Sequence, residues 1–382
     1  MIPRILEEPL SNNQSFFLFG PRGTGKTTWI KSRFKNALYL DLLDSTLSQK
    51  LLSNPSRLRN LVLAKVQDWV IIDEIQKIPE LLNEVHKMIE ENHCRFILTG
   101  SSARNLRKKG VNLLGGRALT FHMYPLTVEE LGERFDLQRS LDSGHLPMVY
   151  SVKSPTRYLS SYVSTYLQQE VQSEGLTRNL SAFSRFMEIA SFSQAQVLNV
   201  SEIAREVGVD SKTIENYFTI LEDLLIADRV PVFTRKAKRR MITHSKFFFF
   251  DVGVYRTLRP MSPLDKPEEA AGAALETIFY QELKAINDYY NLGYQIFYWR
   301  TANNEEVDFV IYGEKGIIAF EIKRSNRFSQ KDLSSLKLFL KDYPMACAYF
   351  LFGGDISECY DKVKVIPFDV AIRQLKGMLT KQ

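Results

Sequence analysis

A glycine-rich stretch near the start of the chain reads Gly20-Pro21-Arg22-Gly23-Thr24-Gly25-Lys26-Thr27 and matches the P-loop pattern G-x-x-x-x-G-K-[ST]. The apolar residues 15–19 before it predict a β-strand, and residues 28–34 after it can form a helix. A phosphate-binding loop needs this order of strand, glycine-rich turn and helix N-terminus. The flanking elements therefore argue against the alternative of a chance glycine-rich turn.

The chemistry of this stretch predicts that ATP and magnesium bind to it. Backbone N–H groups of the turn and the positive end of the helix dipole can hold phosphate groups. Lys26 is expected to reach the β- and γ-phosphates, and the Thr27 hydroxyl is expected to bind Mg²⁺. The predicted nucleotide-binding residues are Gly20, Pro21, Arg22, Gly23, Thr24, Gly25, Lys26, Thr27 and Thr28.

A second stretch, Trp69-Val70-Ile71-Ile72-Asp73-Glu74, is an apolar run that ends in two carboxylates. Such a run suits a parallel strand buried on both faces, and open α/β sheets bind ligands at the carboxyl ends of their strands. Asp73 is predicted to hold Mg²⁺, and Glu74 is predicted to act as the base that polarises the attacking water. The alternative is an exposed acidic pair that closes a core strand.

Strand and helix patterns alternate along residues 1–150, which predicts an α/β fold with a parallel sheet. The strand predicted over residues 95–102 ends in small hydroxyl residues. Ser101, with Thr99 as the alternative, is predicted to contact the γ-phosphate or the attacking water, although Ser101 could equally cap the next helix. A basic loop follows over residues 103–117. Its Arg117 is the candidate arginine finger for a neighbouring subunit's nucleotide, and the alternative is a solvated charge run.

The composition is that of an ordinary globular protein. The chain has 382 residues, 45% hydrophobic and 25% charged, which predicts two or three domains. No apolar run approaches the roughly 20 residues of a membrane span, and the N-terminus lacks the apolar core of a signal peptide. Cys94, Cys347 and Cys359 show no metal-ligand spacing. These features predict a cytoplasmic protein without membrane contact, and a formal charge of +6 allows a nucleic-acid partner.

The middle of the chain carries a helix-turn-helix pattern. Residues 200–207 and 211–226 predict two helices joined by the tight turn Gly208-Val209-Asp210. Two strands predicted over residues 229–233 and 246–250 would flank a strongly basic wing, residues 235–240. Such a wing suits contact with DNA phosphates, and the alternative is a module that packs only against its neighbours.

The last third of the chain has its own set of charged residues. Glu276 lies on a predicted helix, Asp308 on the strand predicted over residues 306–312, and Glu321 and Lys323 on the strand predicted over residues 317–323. Residues two apart in a strand share a face, so Glu321 and Lys323 are expected beside Asp308. Asp308 and Glu321 are predicted to bind Mg²⁺ or Mn²⁺, with Lys323 orienting a water and Glu276 adding a ligand or positioning a base. The alternative is a salt-bridged strand pair.

Taken together, these motifs resemble a bacterial and archaeal family of AAA+-like P-loop ATPases that carry a winged helix and a C-terminal PD-(D/E)xK nuclease-like domain. The resemblance covers nearly the whole chain. It depends on the P-loop and on the segments Asp73-Glu74-Ile75-Gln76-Lys77-Ile78-Pro79, Leu98-Thr99-Gly100-Ser101-Ser102, Phe297-Tyr298-Trp299-Arg300, Glu306-Val307-Asp308-Phe309 and Phe320-Glu321-Ile322-Lys323. It implies binding of ATP and magnesium, and a nuclease-like fold that either cuts or only binds.

The sequence thus predicts a P-loop ATPase domain over residues 1–150, a helical and winged-helix region over residues 151–260 and a nuclease-like α/β domain over residues 261–382. One hypothesis is an ATP-hydrolysing protein that couples nucleotide state to DNA binding and metal-dependent DNA cleavage. The other is an ATP-driven regulatory switch whose winged helix and inactive nuclease-like domain only bind DNA or a protein partner. An arginine finger acting between subunits would additionally require a homo-oligomer.

Overall fold

The computed structural model describes residues 2–6, 13–64, 68–102, 106, 114–167, 179–261 and 267–380. The chain divides into two compact units. The first comprises Met1–Leu126 with Ile220–Ile226, and the second comprises Thr127–Thr219 with Ala227–Gln382. The three-part division at residues 150 and 260 stays a prediction.

The first unit contains a sheet of five parallel strands, which confirms the predicted α/β fold with a parallel sheet. Its strands are β1 Ser15–Phe19, β2 Leu38–Asp41, β3 Val70–Asp73, β4 Phe96–Gly100 and β5 Ala118–His122. Its helices are α1 Lys26–Arg33, α2 Ser45–Ser53, α3 Arg57–Leu63 and α4 Leu81–Asn92, with a 3₁₀ turn at Ile75–Lys77.

The strand order of this sheet, β2-β3-β4-β1-β5, determines which chain segments meet. Every residue of β1, β3 and β4 is buried, as expected for apolar strands covered on both faces. β4 lies between β1 and β3, with Phe17 opposite Leu98 and Ile72 also opposite Leu98. Because all strands are parallel, the segments that follow β1, β4 and β3 emerge at the same edge of the sheet.

The second unit contains a mixed six-stranded sheet in the order β12-β13-β11-β10-β9-β8. Its strands are β8 Gln295–Arg300, β9 Glu306–Gly313, β10 Gly316–Lys323, β11 Cys347–Phe352, β12 Glu358–Tyr360 and β13 Val363–Pro367. The three strands predicted around Asp308 and Glu321 are therefore confirmed as β8, β9 and β10. β9 and β10 are antiparallel, and Phe320 lies opposite Phe309.

The helices of the second unit precede the six-stranded sheet in the chain, lie between its strands or follow it, and residues 220–223 at the end of one of them belong to the first unit. They are α5 Val128–Leu131, α6 Leu137–Ser143, α7 Pro155–Ser161, α8 Leu180–Phe192, α9 Val200–Val207, α10 Ser211–Asp223, α11 Val252–Leu258, α12 Pro267–Tyr289, α13 Ser334–Asp342, α14 Phe368–Arg373 and α15 Leu375–Thr380. A π-helical turn spans Tyr162–Leu167, and 3₁₀ turns span Gly132–Arg134, Pro147–Tyr150 and Gln330–Leu333. Within the described ranges, none of the helices is long and apolar enough to cross a membrane.

The predicted helix-turn-helix and hairpin are present as secondary structure. α9 and α10 are joined through Gly208, whose φ of 79° suits glycine in a tight turn. β6 Ala227–Val230 and β7 Lys246–Phe249 then pair antiparallel. The use of this arrangement as a DNA-binding winged helix stays a prediction.

Candidate functional site

The P-loop connects β1 to α1 and contains three glycines with distinct structural reasons. Gly23 and Gly25 have φ values of 86° and 94°, which only glycine adopts without strain. Gly20 is needed for space, because a Cβ there would lie 2.3 Å from the carbonyl oxygen of Met123. Lys26 is buried, and its Nζ donates a hydrogen bond to the Gly20 carbonyl oxygen at 2.6 Å. The lysine ammonium therefore lies within the loop.

The N-terminus of α1 suits an anion. Among the described residues no side chain caps this helix, and its first turn contains no acidic residue. The backbone N–H groups and the positive end of the helix dipole thus face the loop without an acidic residue of the helix's own first turn to offset them. Of the other predicted nucleotide-binding residues, Thr24 is buried, whereas Arg22 and Thr28 are exposed. Their contacts with a nucleotide stay predictions.

Arg4 supports the P-loop, a role that the sequence analysis did not predict. Its guanidinium donates hydrogen bonds to the carbonyl oxygens of Thr24, at 2.6 Å, and Tyr124, at 2.7 Å, and only 8% of the residue is exposed. A buried arginine bound to two carbonyl groups ties the P-loop to the segment after β5. The only sequence signal was a single arginine beside Pro3 at the start of the chain.

Asp73 joins the P-loop to the neighbouring strands. Its Oδ2 accepts a hydrogen bond from Thr27 Oγ1 at 3.0 Å, so the two predicted magnesium ligands lie side by side. Tyr39 donates to the same oxygen, and Thr99 donates to Oδ1. Three neutral hydroxyl groups therefore orient the carboxylate without cancelling its charge.

Tyr39 is a second residue that sequence reasoning missed. Burial raises the pKa of its hydroxyl, and the hydrogen bond and the charge of Asp73 raise it further, so Tyr39 stays a proton donor. The Lys31 ammonium lies 4.1 Å from the centre of its ring. The register β2–β3 places Asp41, the last residue of β2, opposite Asp73. The available signal was a lone hydroxyl inside an otherwise apolar strand.

Glu74 lies at the carboxyl end of β3 in an unusual backbone conformation. Its φ of 62° and ψ of 44° are left-handed, which is uncommon for a residue other than glycine and turns the chain sharply. Its Oε2 accepts a hydrogen bond from Gln76 Nε2 at 2.5 Å, and the same amide donates to Ser101 Oγ at 3.2 Å. The predicted base and the predicted sensor are therefore joined through Gln76, which the sequence analysis gave no role.

Arg117 lies elsewhere in the first unit. It directly precedes β5, which runs parallel to β1 with Ala118 opposite Ser15. Arg117 is therefore at the amino end of the sheet, whereas the P-loop follows the carboxyl end. Its guanidinium pairs with Glu90 on α4. Of the basic loop before it, Arg104 and residues 107–109 lie outside the described residues. A role for Arg117 in a neighbouring subunit stays a prediction.

The carboxylates of the second unit meet around a lysine. Lys246, the first residue of β7, is 2% exposed at its side chain, and its Nζ lies 2.8 Å from Glu276, 2.9 Å from Glu306 and 3.1 Å from Asp308. Burial opposes the charge of this ammonium, but the three carboxylates outweigh burial and raise the pKa of Lys246 well above its usual range. Asp308 Oδ2 also accepts a hydrogen bond from the Ile322 N–H at 2.8 Å.

An arginine also faces this acidic cluster, which consists of Glu276, Glu306, Asp308 and Glu321. Arg300 Nη1 lies 3.2 Å from Glu306. Burial raises the pKa of Glu276 to about 8 and raises that of Glu321 well above its usual range. Within the described part of the chain, no group of His, Cys, Asp and Glu side chains has the arrangement of a metal site. Binding of a divalent cation by Asp308 and Glu321 stays a prediction. The Lys246 ammonium argues against it, because it already supplies positive charge to Asp308.

Lys323 does not join these carboxylates, contrary to expectation. Its Nζ pairs with Asp332, in the 3₁₀ turn Gln330–Leu333. Asp332 also accepts a hydrogen bond from the Ser329 N–H at 2.7 Å, which fixes it in place. The physical reason is competition, because the Asp332 carboxylate pairs with the lysine while the acidic cluster already contains the Lys246 ammonium.

The basic wing, residues 235–240, packs on the C-terminal sheet and α13. Arg239 forms a two-pronged pair with Asp342, at 2.8 and 3.2 Å. The Arg235 guanidinium lies 4.6 Å from the centre of the Tyr312 ring, and the neighbouring Phe233 is completely buried in the core of this unit. Much of the wing's charge is therefore engaged within the protein.

Three family models match successive parts of the chain. Residues 12–132 match a family model described as "AAA domain", residues 134–265 match "Domain of unknown function (DUF8612)", and residues 271–370 match "Domain of unknown function (DUF4143)". Residues 12–132 are therefore similar to AAA-type domains, and this match supports ATP binding.

Relatives cover most of the chain. Uncharacterized protein Rv2008c of Mycobacterium tuberculosis is 24% identical over 361 residues, which is 92% of this chain and 79% of the relative. Uncharacterized protein MJ1544 of Methanocaldococcus jannaschii is 24% identical over 377 residues, covering 90% and 82%. A solved structure, "Replication initiator DnaA bound to AMPPCP and single-stranded DNA", aligns at 16% identity and a TM-score of 0.29, covering 57% of this chain and 86% of that one.

Proposed function

We propose that the first unit binds and hydrolyses ATP, and that the second unit binds a partner in response to nucleotide state without cutting DNA. The observation that carries the ATPase proposal is the junction of three segments at one sheet edge. Thr27 of the P-loop contacts Asp73, and Glu74 contacts Gln76, which contacts Ser101. Phosphate-binding groups, oxygen ligands and a candidate base thus come together in one place.

The residues present fit a magnesium ion. Thr27 Oγ1 and Asp73 Oδ2 are hard oxygen donors 3.0 Å apart, the donor type that Mg²⁺ prefers. When bound, Mg²⁺ supplies positive charge that offsets the negative charge on the β- and γ-phosphates. Lys26 and the N-terminus of α1 hold the phosphates by charge and by backbone N–H groups. Glu74 accepts the proton of the attacking water, and Ser101 or Thr99 contacts the γ-phosphate or that water.

The test is ATP turnover by the full chain and two variants. Glu74→Gln removes the base but keeps the size of the side chain, so it is expected to bind ATP normally and to lower kcat by about 10²-fold or more. Lys26→Ala removes a positive charge from the phosphate site and is expected to weaken ATP binding itself. Turnover of Glu74→Gln at the parent rate would contradict the base assignment, and absence of turnover in the parent protein would contradict the ATPase proposal.

Arg117 enters this proposal only through a second copy of the chain. Its position at the amino end of β5, away from the P-loop at the carboxyl edge, supports a role at a neighbouring subunit's nucleotide rather than at its own. Hydrolysis per chain should then rise with protein concentration, and Arg117→Ala should abolish that rise. Constant specific activity across dilution, with a monomer by light scattering, would remove the role.

Binding without cleavage is the proposed role of the nuclease-like domain because Lys246 supplies the positive charge at its acidic cluster. Incubation with plasmid and single-stranded DNA, with and without ATP, Mg²⁺ and Mn²⁺, is expected to give no cleavage. Metal-dependent cleavage that disappears in Asp308→Ala and Lys323→Ala while ATP hydrolysis persists would instead establish a nuclease.

A further inference from the structure

We propose that Gln76 is the positioning residue of the ATPase site, holding the Glu74 carboxylate in place and linking it to Ser101. This inference depends on the proposed function, because it assigns a role within that reaction. Gln76 lies in the 3₁₀ turn directly after β3 and is only 6% exposed. A glutamine buried at this position needs a polar reason to be there, since burying an amide without hydrogen bonds is unfavourable.

The hydrogen bonds define the orientation of the Gln76 amide. Nε2 has two N–H groups, and it donates one to Glu74 Oε2 at 2.5 Å and the other to Ser101 Oγ at 3.2 Å. The opposite orientation would place the amide oxygen against a carboxylate oxygen, and two acceptors repel each other. Because Ser101 accepts this hydrogen bond, its own hydroxyl proton is left to donate to a phosphate oxygen or a water.

Gly100 provides the space for this amide. It is the last residue of β4, and a Cβ added to it would lie 2.4 Å from Gln76 Oε1. That contact falls on the far end of a flexible side chain, so a methyl group at residue 100 would displace the amide rather than the strand. Within the described structure Gln76 Oε1 has no hydrogen-bond partner, so no hydrogen bond on that side would hold the amide in position.

The consequence for catalysis follows from the flexibility of glutamate. A glutamate side chain has several rotatable bonds, whereas a base must stay within about 0.5 Å of its productive position. Glu74 begins from a left-handed backbone, and the Gln76 amide then restricts the far end of the side chain. Gln76 thus connects a residue at the end of β3 with one at the end of β4, so a shift of either strand end would move the base.

The test compares Gln76→Leu, Gly100→Ala and the double variant Glu74→Gln/Gln76→Leu. Gln76→Leu keeps the volume but removes the hydrogen bonds, and it is expected to lower kcat about 10-fold or more while affinity for a non-hydrolysable ATP analogue stays within about 3-fold. Gly100→Ala is also expected to lower kcat, because it displaces the Gln76 amide and leaves Glu74 itself unchanged. The double variant should hydrolyse ATP at the rate of Glu74→Gln alone, because a residue that acts through the base adds nothing once the base is gone.

The outcomes separate this inference from the function on which it depends. The role of Gln76 would be overturned if the parent protein hydrolyses ATP and Glu74→Gln is slow, but Gln76→Leu and Gly100→Ala both keep the kcat of the parent. The ATPase proposal would still stand. Multiplying losses in the double variant would also overturn it, since a structural role would act independently of Glu74. If Gln76→Leu fails to fold by circular dichroism, Gly100→Ala alone decides the matter through its kcat.

Discussion

The candidate nucleotide site of the first unit and the acidic cluster of the second unit both bring carboxylates to buried positions, but the partners of these carboxylates differ in charge. Asp73 is held by the hydroxyl groups of Thr27, Tyr39 and Thr99, which are neutral. Asp308 is held by the ammonium of Lys246. The first carboxylate keeps its charge available for a cation, whereas the second already has one. We therefore expect a metal ion at Asp73 and none at Asp308.

The largest expected effect concerns the Lys246 ammonium in the acidic cluster. Lys246→Met removes the ammonium at nearly constant volume and leaves buried carboxylates uncompensated, so unfolding free energy should fall by about 3–5 kcal/mol. Urea unfolding followed by fluorescence measures this loss. Lys315→Met, a change at an exposed lysine of the β9–β10 turn, is the matched control and should have little effect. Equal stability of the two variants would show that Lys246 does not compensate the cluster.

An intermediate effect is expected at the neutral donors of the nucleotide site. Tyr39→Phe removes one hydroxyl from Asp73 without changing the ring, and loss of such an orienting group typically costs about 10-fold in metal affinity or activity. The Mg²⁺ concentration that gives half-maximal ATP hydrolysis should rise accordingly. Tyr360→Phe, at the surface of the second unit, provides the control. An unchanged Mg²⁺ requirement in Tyr39→Phe would mean that Thr27 and Thr99 suffice to orient Asp73.

The smallest effect separates two neighbouring arginines of the basic wing. Arg239→Ala breaks a half-exposed pair with Asp342 and should lower stability by about 1 kcal/mol or less. Arg240 is exposed, and its substitution by alanine should leave stability unchanged but weaken DNA binding and flatten its salt dependence. Fluorescence anisotropy with a labelled duplex at several salt concentrations measures the DNA affinity and its salt dependence. If Arg239→Ala and Arg240→Ala lose equal DNA affinity, the pair between Arg239 and Asp342 opens when DNA binds. If the parent protein does not bind DNA, the basic wing has no role in DNA binding.

The sequence was informative where function and local structure depend on the same short segment. The P-loop needs a strand, glycines and a helix in direct succession, so Lys26 and Thr27 could be placed from the pattern alone. The apolar run before Asp73 and Glu74 predicted β3 for the same reason. The strands around Asp308 and Glu321 were also predictable from their apolar runs and length.

The missed residues act across long sequence separations. Tyr39 contacts a carboxylate 34 residues away, and Lys246 contacts Asp308 62 residues away, so only the folded sheet order brings them together. Lys246 did leave a signal, because a lysine that opens the buried run of phenylalanines at residues 247–250 requires a buried counter-charge. Gln76 left none, since its role depends on the strand order that places Gly100 beside β3.

Counting bound Mn²⁺ tests the contrast between the candidate nucleotide site and the acidic cluster most directly. Electron paramagnetic resonance of the full chain, with and without a non-hydrolysable ATP analogue, reports the number of bound ions. We expect about one Mn²⁺ per chain that requires the nucleotide, is lost in Asp73→Asn and is unchanged in Asp308→Asn. Mn²⁺ that binds without nucleotide and is lost in Asp308→Asn would contradict the account, because the acidic cluster would then take a divalent ion despite Lys246.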